Sequence, residues 1–297
     1  MTTAIRKEHI HFAFDPAAIP AAYADSGDVV TFECVDAYCG QILADGFDFS
    51  KVNMKIGNPA TGPLYVRGAE PGDVLRVEIR TIDLADDGSM CARAGAGIYD
   101  IVGSHSRRFP IEDGVMFFDN GIRIPTKPMV GVIGTAPASG AVSTKVPGEH
   151  GGNLDIKDLG SGTLLYLPVQ VPGALLSMGD IHAVQGDGET VICALEMSGN
   201  ITVKVDVLKN RSDIPTPFIV TATHYLTTSA DPSLDVCSVA AAQKMHRFLQ
   251  QQAGLTDAQS GMLLSLNGNL RISQVVNPAK GCIMDFPVGL ARETFTR

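Results

Sequence analysis

Two stretches of this chain set imidazole and carboxylate side chains among glycines. They are Pro147-Gly148-Glu149-His150-Gly151-Gly152-Asn153-Leu154-Asp155 and Gly179-Asp180-Ile181-His182-Ala183-Val184-Gln185-Gly186-Asp187-Gly188-Glu189. In each, an aspartate follows the histidine five residues later: His150 with Asp155, His182 with Asp187. Glycine lets the backbone come close to a ligand. Histidine with Asp or Glu is a ligand set for zinc, and catalytic zinc sites keep one position open. Positions i and i+2 of a strand share a side, so Asp180 and His182 are expected to project together. A plainer reading stands beside this one: Gly-Asp turns that happen to carry histidines. No HExxH or paired CxxC motif is present, and the ligand intervals of a calcium EF-hand loop are not met. Spacing alone leaves both readings open.

Other residues compete. Asp36 follows the run Glu33-Cys34-Val35, and a carboxylate in an apolar strand is costly unless a cation or hydrogen bonds offset it. Cys39, or Cys34, is a conceivable nucleophile, but no base is fixed nearby, and a small buried hydrophobe is the simpler reading. Asn58-Pro59-Ala60-Thr61-Gly62-Pro63 reads as a turn whose backbone could face a substrate. No GxSxG elbow occurs.

The elements that must position these residues are short. Val29–Val35, Leu75–Arg80, Leu164–Leu167, Thr190–Leu195 and Val203–Val207 are apolar or alternating runs between turn residues, which predicts many strands in a sandwich or barrel. The pattern x-Gly-Asp before an apolar run occurs at Gly27-Asp28, Gly72-Asp73 and Gly179-Asp180 and reads as a strand start. After about residue 230 the period changes. Asp231-Pro232-Ser233 opens one helix, Thr256 with Gln259 forms a capping box for a second, and Leu270–Ser273 reads as a strand. The expected organisation is a mainly β body over 1–220 carrying the site and a smaller α/β portion over 221–297 packed on it.

Composition removes several classes. The chain has 297 residues, 45% of them apolar and 19% charged, so it is globular rather than disordered. With 32 acids against 23 bases and no basic run, a nucleic-acid grip is excluded. The long uncharged stretch from Leu159 to Gly179 is broken by Pro168, Pro172 and glycines, so no membrane helix is expected. Six scattered cysteines and an N-terminus with Arg6, Lys7 and Glu8 before any apolar run point to reduced thiols in the cytoplasm.

On these motifs taken in order, the chain resembles the acetamidase/formamidase family of metal-associated amidases. The likeness rests on Gly27–Glu33 with Asp36 and Gly40-Gln41-Ile42, on Asn58–Pro63, on Ala69–Leu75, and most strongly on Pro147–Asp155 and Gly179–Glu189. It implies a largely β protein that forms a homodimer or higher homo-oligomer and hydrolyses formamide or acetamide to the acid and ammonia. It implies a divalent metal, zinc or else calcium. Its implied metal ligands and site acids are Asp36, His150, His182, Asp187 and Glu196, with Asp187, Glu196 and His182 as the catalytic groups. Asn153 and Asp155 are second candidates, and Asn58, Thr61, Gly62 and Asn153 are the expected substrate contacts. Alternatives are another small C–N substrate, a non-catalytic metal-binding member, or a cysteine amidase.

Overall fold

The computed structural model describes residues 3–290. Among these residues the chain is mainly β, with two α-helices close to its C-terminal end. Eighteen strands join in one hydrogen-bonded sheet, and a two-stranded ribbon lies beside it. The alternation expected at Val29–Cys34 is realised: Val30, Phe32 and Cys34 are buried while Val29, Thr31 and Glu33 are partly exposed. Two long strands, Val74–Arg93 and Glu196–Leu208, run antiparallel through the body.

The strand Leu176–His182 is buried at every position. Met129–Gly134 pairs along it, Ala60–Val66 pairs with its first part, and its last residues meet the start of Glu196–Leu208. A strand covered on both faces carries apolar residues at consecutive positions rather than alternating ones. Val77, Ile79, Leu165, Ile181 and Val203 belong to the main core around it.

Three local expectations change. Thr190–Leu195 is not a strand; it is turn and coil, and its Cys193, Ala194 and Leu195 are apolar because the loop is buried. Asn58–Pro63 is a turn only at its start. Asn58 takes a left-handed φ of 62°, and a strand runs from Ala60 to Val66. The first two x-Gly-Asp copies are turns whose Asp28 and Asp73 carboxylates accept from Asp25 N and Glu70 N at 2.8 Å. The third lies inside Leu176–His182, so Gly179-Asp180 ends a strand instead of starting one.

The C-terminal portion follows its signals. Ser233 caps α1 (Leu234–Ala253), and Thr256 with Gln259 forms the capping box of α2 (Asp257–Asn267). Helix α1 buries Cys237, Ala241, Met245, Phe248 and Leu249 against the strands His224–Asp231 and Lys280–Pro287. Those strands continue the main sheet through Phe218–Val220. This portion also reaches the body at Arg271, which pairs with Asp158 at 2.6 Å, Asp285 at 2.8 Å and Asp187 at 3.0 Å.

Candidate active site

Register builds the centre. His182, the last residue of its strand, lies opposite Glu196, the first residue of the next. Its Nε2 is 3.2 Å from Glu196 Oε2 and 3.4 Å from Asp180 Oδ1. Asp180 takes φ 55°, which breaks the strand's alternation. The i, i+2 rule therefore names the right pair for an incomplete reason. Asp155 arrives from the loop after Gly151–Asn153, a short strand held on Met129–Gly134. Gly131 on that shared strand makes room for both aspartates. A Cβ there would sit 2.6 Å from Asp155 Oδ1 and 2.9 Å from Asp180 Oδ2. Glu189 completes the group from the loop after His182. Asp155, Asp180 and His182 form one triad of ligand-type atoms within 4.8 Å, and His182, Glu189 and Glu196 form a second.

These groups are nearly water-free: His182 is 0% exposed, Asp155 1%, Asp180 and Glu196 3%, Glu189 8%. Burial and the neighbouring Asp180 charge push the Asp155 pKa up to about 6. Burial also holds Glu189 and Glu196 well above the usual carboxylate range; Asp155 adds repulsion at Glu189, and the His182 charge only partly opposes the rise at Glu196. Burial acts upward on Asp180 as well, but the His182 charge and hydrogen bonds outweigh it and leave it low. For His182 burial alone would lower the pKa; the charges of Glu196 and Asp180 overcome it and hold it well above the ordinary value. Four carboxylates around one imidazole lack positive charge. Among the described residues the buried Glu189 Oε2 has no hydrogen-bond partner, and His182 Nε2 meets only the carboxylates of Glu196 and Asp180. A cation among them would supply what they lack, and one imidazole nitrogen with several carboxylate oxygens is a donor set that fits a divalent metal ion.

A ring of amides orients the group. Gln185 Nε2 donates to the Asp155 carbonyl at 2.7 Å, so its Oε1 is the atom 2.7 Å from His182 Nδ1. The carbonyl can only accept, which makes Nδ1 the protonated nitrogen and leaves Nε2 facing the carboxylates. Asn277 donates to Asp155 Oδ2 at 2.6 Å. Asn58 and Asn153, with their amides turned to satisfy the network, each donate to Asp180 Oδ2 at 3.1 Å. The acids open onto a cavity of about 200 Å³ walled by Tyr38, Phe49, Met54 and Arg93.

Of the residues named from the sequence, His182, Glu196, Asn58 and Asn153 meet here, and Asp155 joins them. Asp36 does not. Its carboxylate accepts from Tyr38 N at 2.8 Å and Gly40 N at 3.1 Å and is a turn cap, which already offsets its burial. Asp187 lies outside the cluster, 2.8 Å from Lys157 Nζ and 3.0 Å from Arg271 Nη1. His150 packs edge-on against Phe14, and burial pushes its pKa down to about 4, so it is neutral. Thr61 and Gly62 sit in the strand Ala60–Val66; Thr61 Oγ1 donates to the Glu33 carbonyl at 2.8 Å, and Gly62 lies over Ser177. The thiol alternative lacks a base: Cys39 donates to the Ile56 carbonyl at 3.0 Å, and burial pushes Cys34 up to about 12. Three residues were missed. Asp180 was paired with His182 but left out of the ligand set, Glu189 closed the same motif without a role, and Asn277 has no local signal at all.

The description of the acetamidase/formamidase family matches residues 2–144 and 138–290. The chain is similar to a crystal structure of an acetamidase from Bacillus halodurans, with a TM-score of 0.96 and 40% identity over 99% of this chain and all of that one. It is also similar to a predicted acetamidase/formamidase from Thermoanaerobacter tengcongensis, with a TM-score of 0.95 and 34% identity over 99% and 98% of the two chains. A formamidase of Methylophilus methylotrophus is 29% identical over 262 residues, 68% of this chain and 64% of its own length. The chain spans between 64% and 66% of the length of the curated relatives it matches.

Proposed function

This chain belongs to the acetamidase/formamidase family, and from that premise we propose that it hydrolyses short-chain amides to carboxylate and ammonia at the His182 cluster. The observation that carries the reading is the packing of four carboxylates, Asp155, Asp180, Glu189 and Glu196, around the buried imidazole of His182. An amide needs an activated water, a stabilised oxyanion and a proton for the departing nitrogen. A bound divalent cation supplies the first two by acidifying water and polarising the carbonyl. His182, Glu196, Asp180 and Asp155 are the residues that would hold it. The imidazole favours zinc over calcium, which takes oxygen ligands.

Glu189 is the general base of this proposal. Its carboxylate lies in the same buried group as the residues that would hold the cation, where it can take a proton from water and return it to the leaving nitrogen. Gln185 keeps the proton of His182 on Nδ1, and Asn58 and Asn153 hold Asp180 in place. The buried thiols agree with a reducing compartment, all six cysteines being free. Among the described residues no helix is long and apolar enough to cross a membrane. Self-association, which the family resemblance implies, is measured by light scattering. The test of function is ammonia release from formamide and acetamide with and without a chelator. Release that chelation abolishes and zinc restores is expected. Release untouched by chelation, from protein shown by elemental analysis to be metal-free, would sink the metal-dependent reading.

A further inference from the structure

Among the described residues Arg76, Arg93, Arg107 and Arg271 have a buried Nε without a well-aligned hydrogen bond, although that of Arg271 lies 2.8 Å from Asp285 Oδ2. Three of them hold acids through other contacts. Arg76 lies 3.0 Å from Asp206, Arg107 2.8 Å from Asp119 and Arg271 2.6 Å from Asp158. Arg93 holds none. Among the described residues its side chain has neither a hydrogen bond nor an ion pair; the Phe49 ring centroid is 5.1 Å from the guanidinium carbon, and the Arg93 charge helps to lower the Cys91 thiol pKa. Arg93 and Phe49 line the same cavity as Asp155, Asp180, Glu189 and Glu196. Lys145, the other cation of that cavity, is held on the Met54 carbonyl.

The guanidinium is thus a permanent charge with a fixed plane and open donors, facing the cavity of the proposed reaction. Its buried Nε is left unmet, and a carboxylate pairs with a guanidinium through two parallel hydrogen bonds.

We propose that Arg93 binds a carboxylate on the substrate, so that the preferred amides are monoamides of short dicarboxylic acids. This rests on the hydrolytic reading above and names its substrate class. For malonamate, water's oxygen forms the new C–O bond as the C–N bond breaks. The nitrogen leaves with two protons from water and the new acid group added to its own two, as ammonium, and malonate remains. Arg93 contacts only the carboxylate that does not react.

The test compares ammonia release from malonamate and acetamide by the zinc-loaded full chain and by its Arg93→Met and Arg93→Lys forms. Malonamate is expected to have a kcat/KM about tenfold or more above that of acetamide. Arg93→Met is expected to raise KM for malonamate about 30-fold or more, with acetamide changed less than about threefold, and Arg93→Lys to recover part of the loss. Two results overturn the proposal: malonamate no better than acetamide in the parent protein, or equal losses on both substrates in Arg93→Met. If the parent cleaves neither amide, the hydrolytic reading fails by itself, and calorimetry with malonate then decides on Arg93. Malonate binding lost in Arg93→Met supports the anion site, and equal binding by the two proteins refutes it.

Discussion

The two glycine-rich His–Asp stretches have the same spacing and opposite fates. From the first, the aspartate goes to the site and the histidine does not: Asp155 joins Asp180, while His150 packs on Phe14. From the second, the histidine goes and the aspartate does not: His182 meets Glu196, while Asp187 pairs with Lys157 and Arg271. The site thus takes one member of each pair. A five-residue interval in an irregular loop fixes no common direction, so each side chain follows the neighbour that its own backbone meets. For His182 that neighbour comes from antiparallel register with Glu196, and for Asp155 from the space left by Gly131.

The largest effect expected from this contrast is at the two histidines. His182→Ala removes the only nitrogen donor of the cluster, and kcat/KM for amide hydrolysis should fall by about 1,000-fold or more with loss of bound zinc. His150→Ala should leave zinc content unchanged. Elemental analysis beside an ammonia assay reads both, and equal metal loss in the two variants would erase the distinction drawn here.

His150 should be visible in pH dependence instead. Burial lowers its folded pKa to about 4 from an ordinary 6.5. The unfolded chain therefore binds more protons between those values, so this contribution is complete above pH 6.5 and is lost as pH falls to about 4. The shift corresponds to roughly 3 kcal/mol at most. His150→Phe should flatten the pH 4–6.5 limb of stability measured by urea unfolding; an unchanged slope would mean that His150 is solvated.

Gln185 sharpens the comparison, because it links the His182 and Asp155 halves. Gln185→Leu should weaken zinc binding about 10- to 100-fold. Gln185→Glu, which keeps the acceptor for Nδ1, should lose much less. Competition with a chromophoric chelator measures both affinities, and equal losses would mean that the acceptor is not what matters. The smallest effect is expected at Asp187. Arg271 keeps Asp158 and Asp285 when Asp187 is changed, so Asp187→Asn should cost about 1 kcal/mol of stability and no zinc. Zinc loss in that variant would return Asp187 to the ligand set.

Much of the fold is legible in local sequence because its signals are local. The Ser233 cap, the Thr256–Gln259 capping box and the alternation at Val29–Cys34 each depend on residues a few positions apart. Thr190–Leu195 misleads because its apolarity serves burial of a loop, and burial does not distinguish a buried strand from a buried coil. At the site, the motif Gly179–Glu189 contains Asp180, His182, Gln185 and Glu189, four of the residues that matter. Which of its acids face inward is not a matter of spacing. Asp36 is the clearest case: an acid in an apolar setting suggested a cation, and two backbone N–H groups four residues away or fewer had already offset its charge.

By itself, the sequence determined the strand-rich class, the two capped helices, the absence of a basic surface and the two stretches from which the centre is drawn. Each of these follows from composition or from interactions within one turn or one strand. The tertiary structure alone decided that Glu196 faces His182, that Asn277 reaches Asp155 from 122 positions away, and that Arg93 has no acid partner among the described residues. Those outcomes depend on strand register and on which charges long-range packing brings within a few ångströms. Neither quantity is encoded in the spacing of residues along the chain.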